Sequence, residues 1–201
     1  MGCSRLFFQS ILIVLAIVGL NSLGLLVPVK DAVITVVQPK PQLVKQSAQK
    51  IADFSKVPPN YKFQASYKVL GAEAVVTENT KDGSYIAMGN TGPLLQLSKN
   101  DLKSDEINKK IAYLAPVLIN SPAKISNFSI TDKSTFKAMN QEIPYAKIKV
   151  VSQTNPNISY EGIIAVYDTA DNKTQTIVAF NEAGKYRQVS TEEFFKKIKL
   201  N

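Results

Sequence analysis

Tyr61-Lys62-Phe63-Gln64-Ala65-Ser66-Tyr67-Lys68-Val69 alternates apolar and polar residues without a break. A period of two places successive side chains on opposite sides of a strand, so the stretch predicts a β-strand with one buried and one wet face. Gly71 ends it. Downstream, Ala74–Glu78 and Ser84–Met88 flank Asn79–Gly83, where Asp82-Gly83 supports a hairpin, and Gly89–Pro93 breaks the pattern. The last third adds Ser126–Ile130, Tyr145–Val151, Ser159–Tyr167 and Thr174–Phe180, with Thr135–Met139 as a weaker strand. In Tyr145–Val151, Ala146, Ile148 and Val150 alternate with Lys147 and Lys149, again giving one buried face. Asn155-Pro156-Asn157, Asp168–Lys173 and Asn181–Gly184 read as turns from their composition. Connections this short join antiparallel neighbours, not βαβ crossovers.

Helical periodicity appears three times. In Gln42–Phe54, Val44, Ala48 and Ile51 form a stripe, Lys45, Gln46, Gln49 and Lys50 stay off it, and Pro58-Pro59 stops the helix. Asp101–Leu118 places Ile107, Ile111 and Leu114 on one face, with Asn100 as N-cap and Pro116 cutting the helix near Ala115. Ser190-Thr191-Glu192-Glu193 offers a capping box ahead of Phe194, Phe195 and Ile198. The predicted fold class is α+β: an antiparallel sheet of about six or seven strands packed with two or three helices, preceded by one N-terminal transmembrane helix.

That last element is Leu6–Val29, which carries no charge. At about 1.5 Å per residue it reaches roughly 36 Å, enough to cross a hydrocarbon core of about 30 Å. It reads as an uncleaved signal-anchor in preference to a cleaved signal, because no A-x-A-like exit follows it, and in preference to a buried core helix. Residues 1–5 form a short tail, 30–41 a linker containing Val33-Ile34-Thr35-Val36-Val37, and 42–201 one globular domain. Arg5 favours an inside N-terminus, whereas Lys30, Lys40, Lys45 and Lys50 argue the other way. The large trailing domain tips the expectation towards export, into a periplasmic, extracellular or lumenal space. Cys3 precedes the apolar run, which is the wrong side for a bacterial lipoprotein, and Leu6 stands where myristoylation wants Ser or Thr.

The chain has no histidine and a single cysteine. That excludes Ser-His-Asp and Cys-His nucleophiles, a His/Cys zinc site and an intrachain disulfide. G-x-S-x-G, Walker A and dinucleotide-binding patterns are absent from the sequence. Asp101, Asp105 and Glu106, like Glu192 and Glu193, sit where carboxylates complement a helix N-terminus. Asp168, Asp171 and Asn172 lack the alternate spacing of a calcium loop and read as a turn. The reading assigns no catalytic residue, no cofactor and no metal; an enzyme would need a Ser–Lys pair, whose proximity a sequence does not display.

The net charge of +8 points to an anionic partner. Arg5 and Arg187 are the only arginines, so the bidentate fork used on nucleic acid is nearly missing and nucleic acid is not expected. An anionic membrane surface fits better beside an anchor. Lys196, Lys197 and Lys199 are the candidate membrane or partner contacts. Phe194-Phe195 beside them either joins that surface or, as the favoured reading, packs into the core.

Ala48–Tyr61, A-Q-K-I-A-D-F-S-K-V-P-P-N-Y, resembles the opening of small bacterial exported domains related to PsbP and DcrB, where a helix runs into a Pro-x-x-Tyr entry to the first strand. The resemblance implies an antiparallel sheet with a helix inserted between its halves and a last helix packed on it. It also implies a non-catalytic domain, attached in some relatives to a larger membrane complex. The chain departs from lipoprotein members in lacking a cysteine after the apolar run, and no functional residue carries over. Two expectations follow. The first is a membrane-anchored accessory or interaction domain on the exported face, binding a protein partner or the membrane surface. The alternative is a small-molecule or lipid carrier with a pocket between sheet and helices, lined by Tyr61, Tyr67, Tyr145 and Tyr160.

Overall fold

A computed structural model describes residues 41–69, 72–90, 96–112, 125–152, 157, 159–171 and 173–200. The apolar segment 6–29 and nearly all of the linker lie outside them; among the described residues no helix is long and apolar enough to cross a membrane.

The architecture is α+β. Helix α1 (Pro41–Ile51) leads through β1 (Ala52–Asp53) into strands β2 (Tyr61–Val69), β3 (Ala72–Asn79) and β4 (Tyr85–Asn90). Helix α2 (Lys99–Lys103) and a further helical run, residues 106–112, occupy the connection to β5 (Ile125–Ala138). Strands β6 (Gln141–Ser152), β7 (Ser159–Asp168) and β8 (Thr174–Glu182) follow, then helix α3 (Gln188–Lys196) and β9 (Lys199–Leu200). Seven strands form one sheet in the order β2-β3-β4-β8-β7-β6-β5, every neighbouring pair antiparallel. Two meanders therefore meet where β4 pairs with β8. A separate ribbon pairs β1 with β9.

Helices cover both faces of this sheet. On one, Leu102, Ile107 and Ile111 pack against Val76, Tyr85, Ile148, Tyr160, Ile164 and Phe180. On the other, Ala48, Ile51, Phe194, Phe195 and Ile198 pack against Val75, Ile86, Met88, Ile163, Tyr167 and Ile177. A sheet buried on two sides needs near-continuous apolar strands. Strand β7 shows this, with Tyr160 and every residue from Gly162 to Val166 and Tyr167 buried.

The expectation of one wet face along Tyr61–Val69 is corrected here. The register of β2 against β3 slips between Phe63 and Ala65, so Tyr61 and Phe63 join the α1/α3 core while Ala65 joins the opposite one. A bulge at Gln64 supplies the odd residue that reverses the side-chain alternation. The same device unites two segments expected as separate strands. Strand β5 runs unbroken for 14 residues, and a register shift between Ile130 and Asp132 sends Phe128 and Ile130 to one core and Phe136 and Ala138 to the other. The β5–β6 hairpin turns on Met139 and Asn140, both at positive φ (51° and 58°), a geometry that usually recruits glycine.

Three helix boundaries also differ from expectation. Helix α1 stops at Ile51, short of Phe54, because Ala52 and Asp53 pair with Leu200 and Lys199. The middle helix is capped by Ser98 and not Asn100: the Ser98 hydroxyl accepts from Asp101 N at 3.1 Å, and Ser98 N donates to the Asp101 carboxylate at 2.6 Å. It breaks at Ser104 before resuming, and Leu114 and Pro116 lie outside the described residues. Helix α3 begins at Gln188 with Arg187 in the N-cap position, so Ser190 lies inside the helix and makes no capping box.

Candidate functional site

The pocket tyrosines are distributed across the fold. Tyr61 and Tyr145 lie on the α1/α3 side of the sheet and Tyr160 on the other, so the sheet itself separates them. The side chain of Tyr67 lies outside the described residues. The Tyr61 ring sits 4.7 Å from that of Phe194, and its hydroxyl donates to the Ser190 carbonyl at 2.9 Å. Burial, then the nearby Asp82 and Glu193 carboxylates, push its ionisation up to about 12. Tyr145 is buried against Phe136, and its hydroxyl accepts from Gln188 Nε2 at 2.7 Å. Tyr160 is buried edge-on to Phe180. Each ring serves as packing.

Phe194 and Phe195 are fully buried, meeting each other edge to face at 5.1 Å. The lysines beside them are not: Lys196, Lys197 and Lys199 are all exposed. Their surroundings were not legible in the sequence. Ala52↔Leu200 and Asp53↔Lys199 tie the C-terminal end of α1 to the chain just after α3. This sets Lys50 and Lys56 within a few residues of the same pairing as Lys196, Lys197 and Lys199. Asp53 lies among them, its carboxyl held below the ordinary value first by the Ser55 N–H at 2.8 Å and also by the charges of Lys199 and Lys56. Lys196 also borders an open groove of about 490 Å³ whose other walls are Lys137, the Met139-Asn140 turn, Gln141 and Glu142.

Seven lysines elsewhere are neutralised. Lys99 pairs with Asp168 at 2.7 Å, Lys110 with Asp101 at 2.8 Å, Lys133 with Asp105 at 2.9 Å, Lys147 with Asp132 at 3.0 Å and Lys173 with Asp171 at 2.6 Å. Lys109 pairs with Glu106 and Lys185 with Glu182. Thus the carboxylates singled out near the middle helix and in the Asp168–Lys173 turn sit in caps and ion pairs. Lys45, Lys50, Lys56, Lys196, Lys197 and Lys199 form no ion pair with another described residue, and neither do Lys62, Lys81, Lys103, Lys137 and Lys149. Among the described residues, no group of three or more Asp, Glu, Cys or His side chains converges as a metal site would require. No protein-family model and no curated protein matches the chain.

Proposed function

We propose that the chain is a membrane-tethered, non-catalytic accessory domain, held by Leu6–Val29 and presented on the exported face, that binds through its outer surface. The observation that carries this reading over a carrier is the use of Tyr61, Tyr145 and Tyr160 as packed side chains on opposite sides of one sheet. A carrier would converge such rings on one enclosed volume. The resemblance of Ala48–Tyr61 to PsbP- and DcrB-related domains points the same way. Alkaline carbonate extraction of membranes tests the tether: the full chain stays with the membrane until detergent is added, and a chain lacking residues 6–29 is released. Release of the full chain by carbonate refutes the reading.

A further inference from the structure

We propose that the outer face built from α1, α3 and β9 lies against an anionic lipid surface; this rests on the tethered reading above and assigns that surface its partner. Three observations converge. The first is charge. Lys45 and Lys50 on α1, Lys196 and Lys197 at the end of α3, and Lys199 on β9 form no ion pair with another described residue, and the β1–β9 pairing gathers the last four near one another with Lys56. Lys62, Lys81, Lys103, Lys137 and Lys149 are likewise without one but are spread over other parts of the fold. Complementing the negative ends of the two helices accounts for Lys50 and Lys196. It does not account for Lys45, in mid-helix, or for Lys199, in a strand.

The second is shape. Val44, Ala48 and Ile51 turn α1 towards the sheet, and Thr191, Phe194 and Phe195 turn α3 towards the same side of it. The remaining surfaces of both helices therefore look outwards together. On α3 that surface carries Val189, Glu193 and Lys196 at successive helical turns, and Val189, 68 % exposed, is the exposed large hydrophobic residue among those described. An aliphatic side chain flanked by ammonium groups suits an interface where headgroup phosphates meet acyl chains. Lys137 and Lys196, on the rim of the 490 Å³ groove, offer a further cationic edge.

The third is the tether. Residues 30–40 join the apolar segment to Pro41, the first residue of α1, and eleven residues span at most about 40 Å. This face thus belongs to the element nearest the anchor, and a tether this short keeps its effective concentration at the membrane high enough for weak contacts to count.

The test uses the full-length chain in nanodiscs of phosphatidylcholine alone or mixed with phosphatidylglycerol, with lysine acylation mapped by mass spectrometry. In the anionic discs, acylation of Lys45, Lys50, Lys196 and Lys197 falls by about fivefold or more, the factor expected for one lysine at such a surface. Lys109 and Lys173 label equally in both, and high salt restores the first group. The variant K196Q/K197Q/K199Q, all exposed positions, loses the protection at Lys45 and Lys50 while keeping the parent melting temperature. Equal labelling in the two discs, protection centred on Lys109 and Lys173, or protection in neutral discs alone overturns the proposal. Co-elution with neutral discs at high salt reports the tether separately; if it fails, the acylation pattern with anionic discs at low salt still decides the face.

Discussion

Deleting Thr131 tests whether that residue is the odd one in the ladder. Ile130 pairs with Ile148 and Asp132 with Lys147, leaving Thr131 as the unpaired residue of the bulge. Without it those two pairs become successive rungs, and the Met139-Asn140 turn still holds Ala138 opposite Gln141. Phe128 and Ile130 therefore stay on the α2-side core, and Phe136 and Ala138 on the other, so their burial is retained. A one-residue slip would instead turn Phe128 and Ile130 out of their core. Full burial of such side chains contributes about 1.5–3 kcal/mol each, so two half-buried ones would forfeit about 2–3 kcal/mol. An inward Asn or Ser without a partner would add about 1–3 kcal/mol. The deletion is expected within about 1 kcal/mol of the parent, far below the roughly 3–6 kcal/mol of a slip, which is a large share of a typical stability of about 5–15 kcal/mol. Urea unfolding of the full chain in mild detergent, followed by near-ultraviolet circular dichroism, measures it. Thr131→Ala keeps the residue count at an exposed site and serves as the control, expected within about 0.5 kcal/mol of the parent. A deletion variant destabilised by about 3 kcal/mol or more against that control refutes the reasoning.

Further outcomes follow from named contacts. Gly162→Ala would place a Cβ 2.0 Å from the Ala179 carbonyl oxygen and costs about 3 kcal/mol in the same unfolding assay. At Gly83 the space is open but φ is +74°, so alanine costs only about 1 kcal/mol there. Phe195→Ala, emptying a fully buried site, costs about 3–5 kcal/mol, whereas neutralising Lys196 and Lys197 changes stability by less than about 0.5 kcal/mol. Tyr61 ionises near 12 in the fold against about 10 in the unfolded chain, and burial raises Tyr167 and Tyr186 as well. Their neutral forms favour the fold fully below about pH 10, and that contribution is lost as pH rises towards 12, so stability measured by melting declines over this window and Tyr61→Phe makes the decline shallower. On the acid side, burial raises the Asp101 carboxyl, but hydrogen bonds from Lys110 and Ser98 outweigh it and hold the group below its ordinary value. Its contribution, present above the unfolded value, fades as pH falls through the folded one, and Asp101→Asn removes that part of the acid limb of a pH–melting curve.

The sequence is most legible where one local pattern decides an element. Val44-Ala48-Ile51 and Phe194-Phe195-Ile198 face the core as their spacing demands, and β7 and β8 start where composition places them. Bulges are nearly silent, since Gln64 and Thr131 are ordinary strand residues and the slip they cause depends on the partner strand. The Met139-Asn140 turn is silent for a different reason: its left-handed conformations are imposed by the hairpin, without the glycine that would advertise them. Ser190 illustrates competition, because the Gln188 bonds to Tyr145 and Glu192 come with a helix that starts ahead of the expected cap. The candidate surface divides likewise. Lys196, Lys197 and Lys199 stand together in the sequence, but their meeting with Lys50 and Lys56 depends on pairing between residues near opposite ends of the domain.

The measurement that tests the central claim most directly is protease protection of the full-length chain, tagged at its C-terminus, in intact cells or spheroplasts. The account predicts that external protease removes the tag from a chain of uncleaved size, placing an anchored domain on the exported face. A tag that stays protected until the membrane is broken contradicts it, and would make Lys30, Lys40, Lys45 and Lys50 the inside signal.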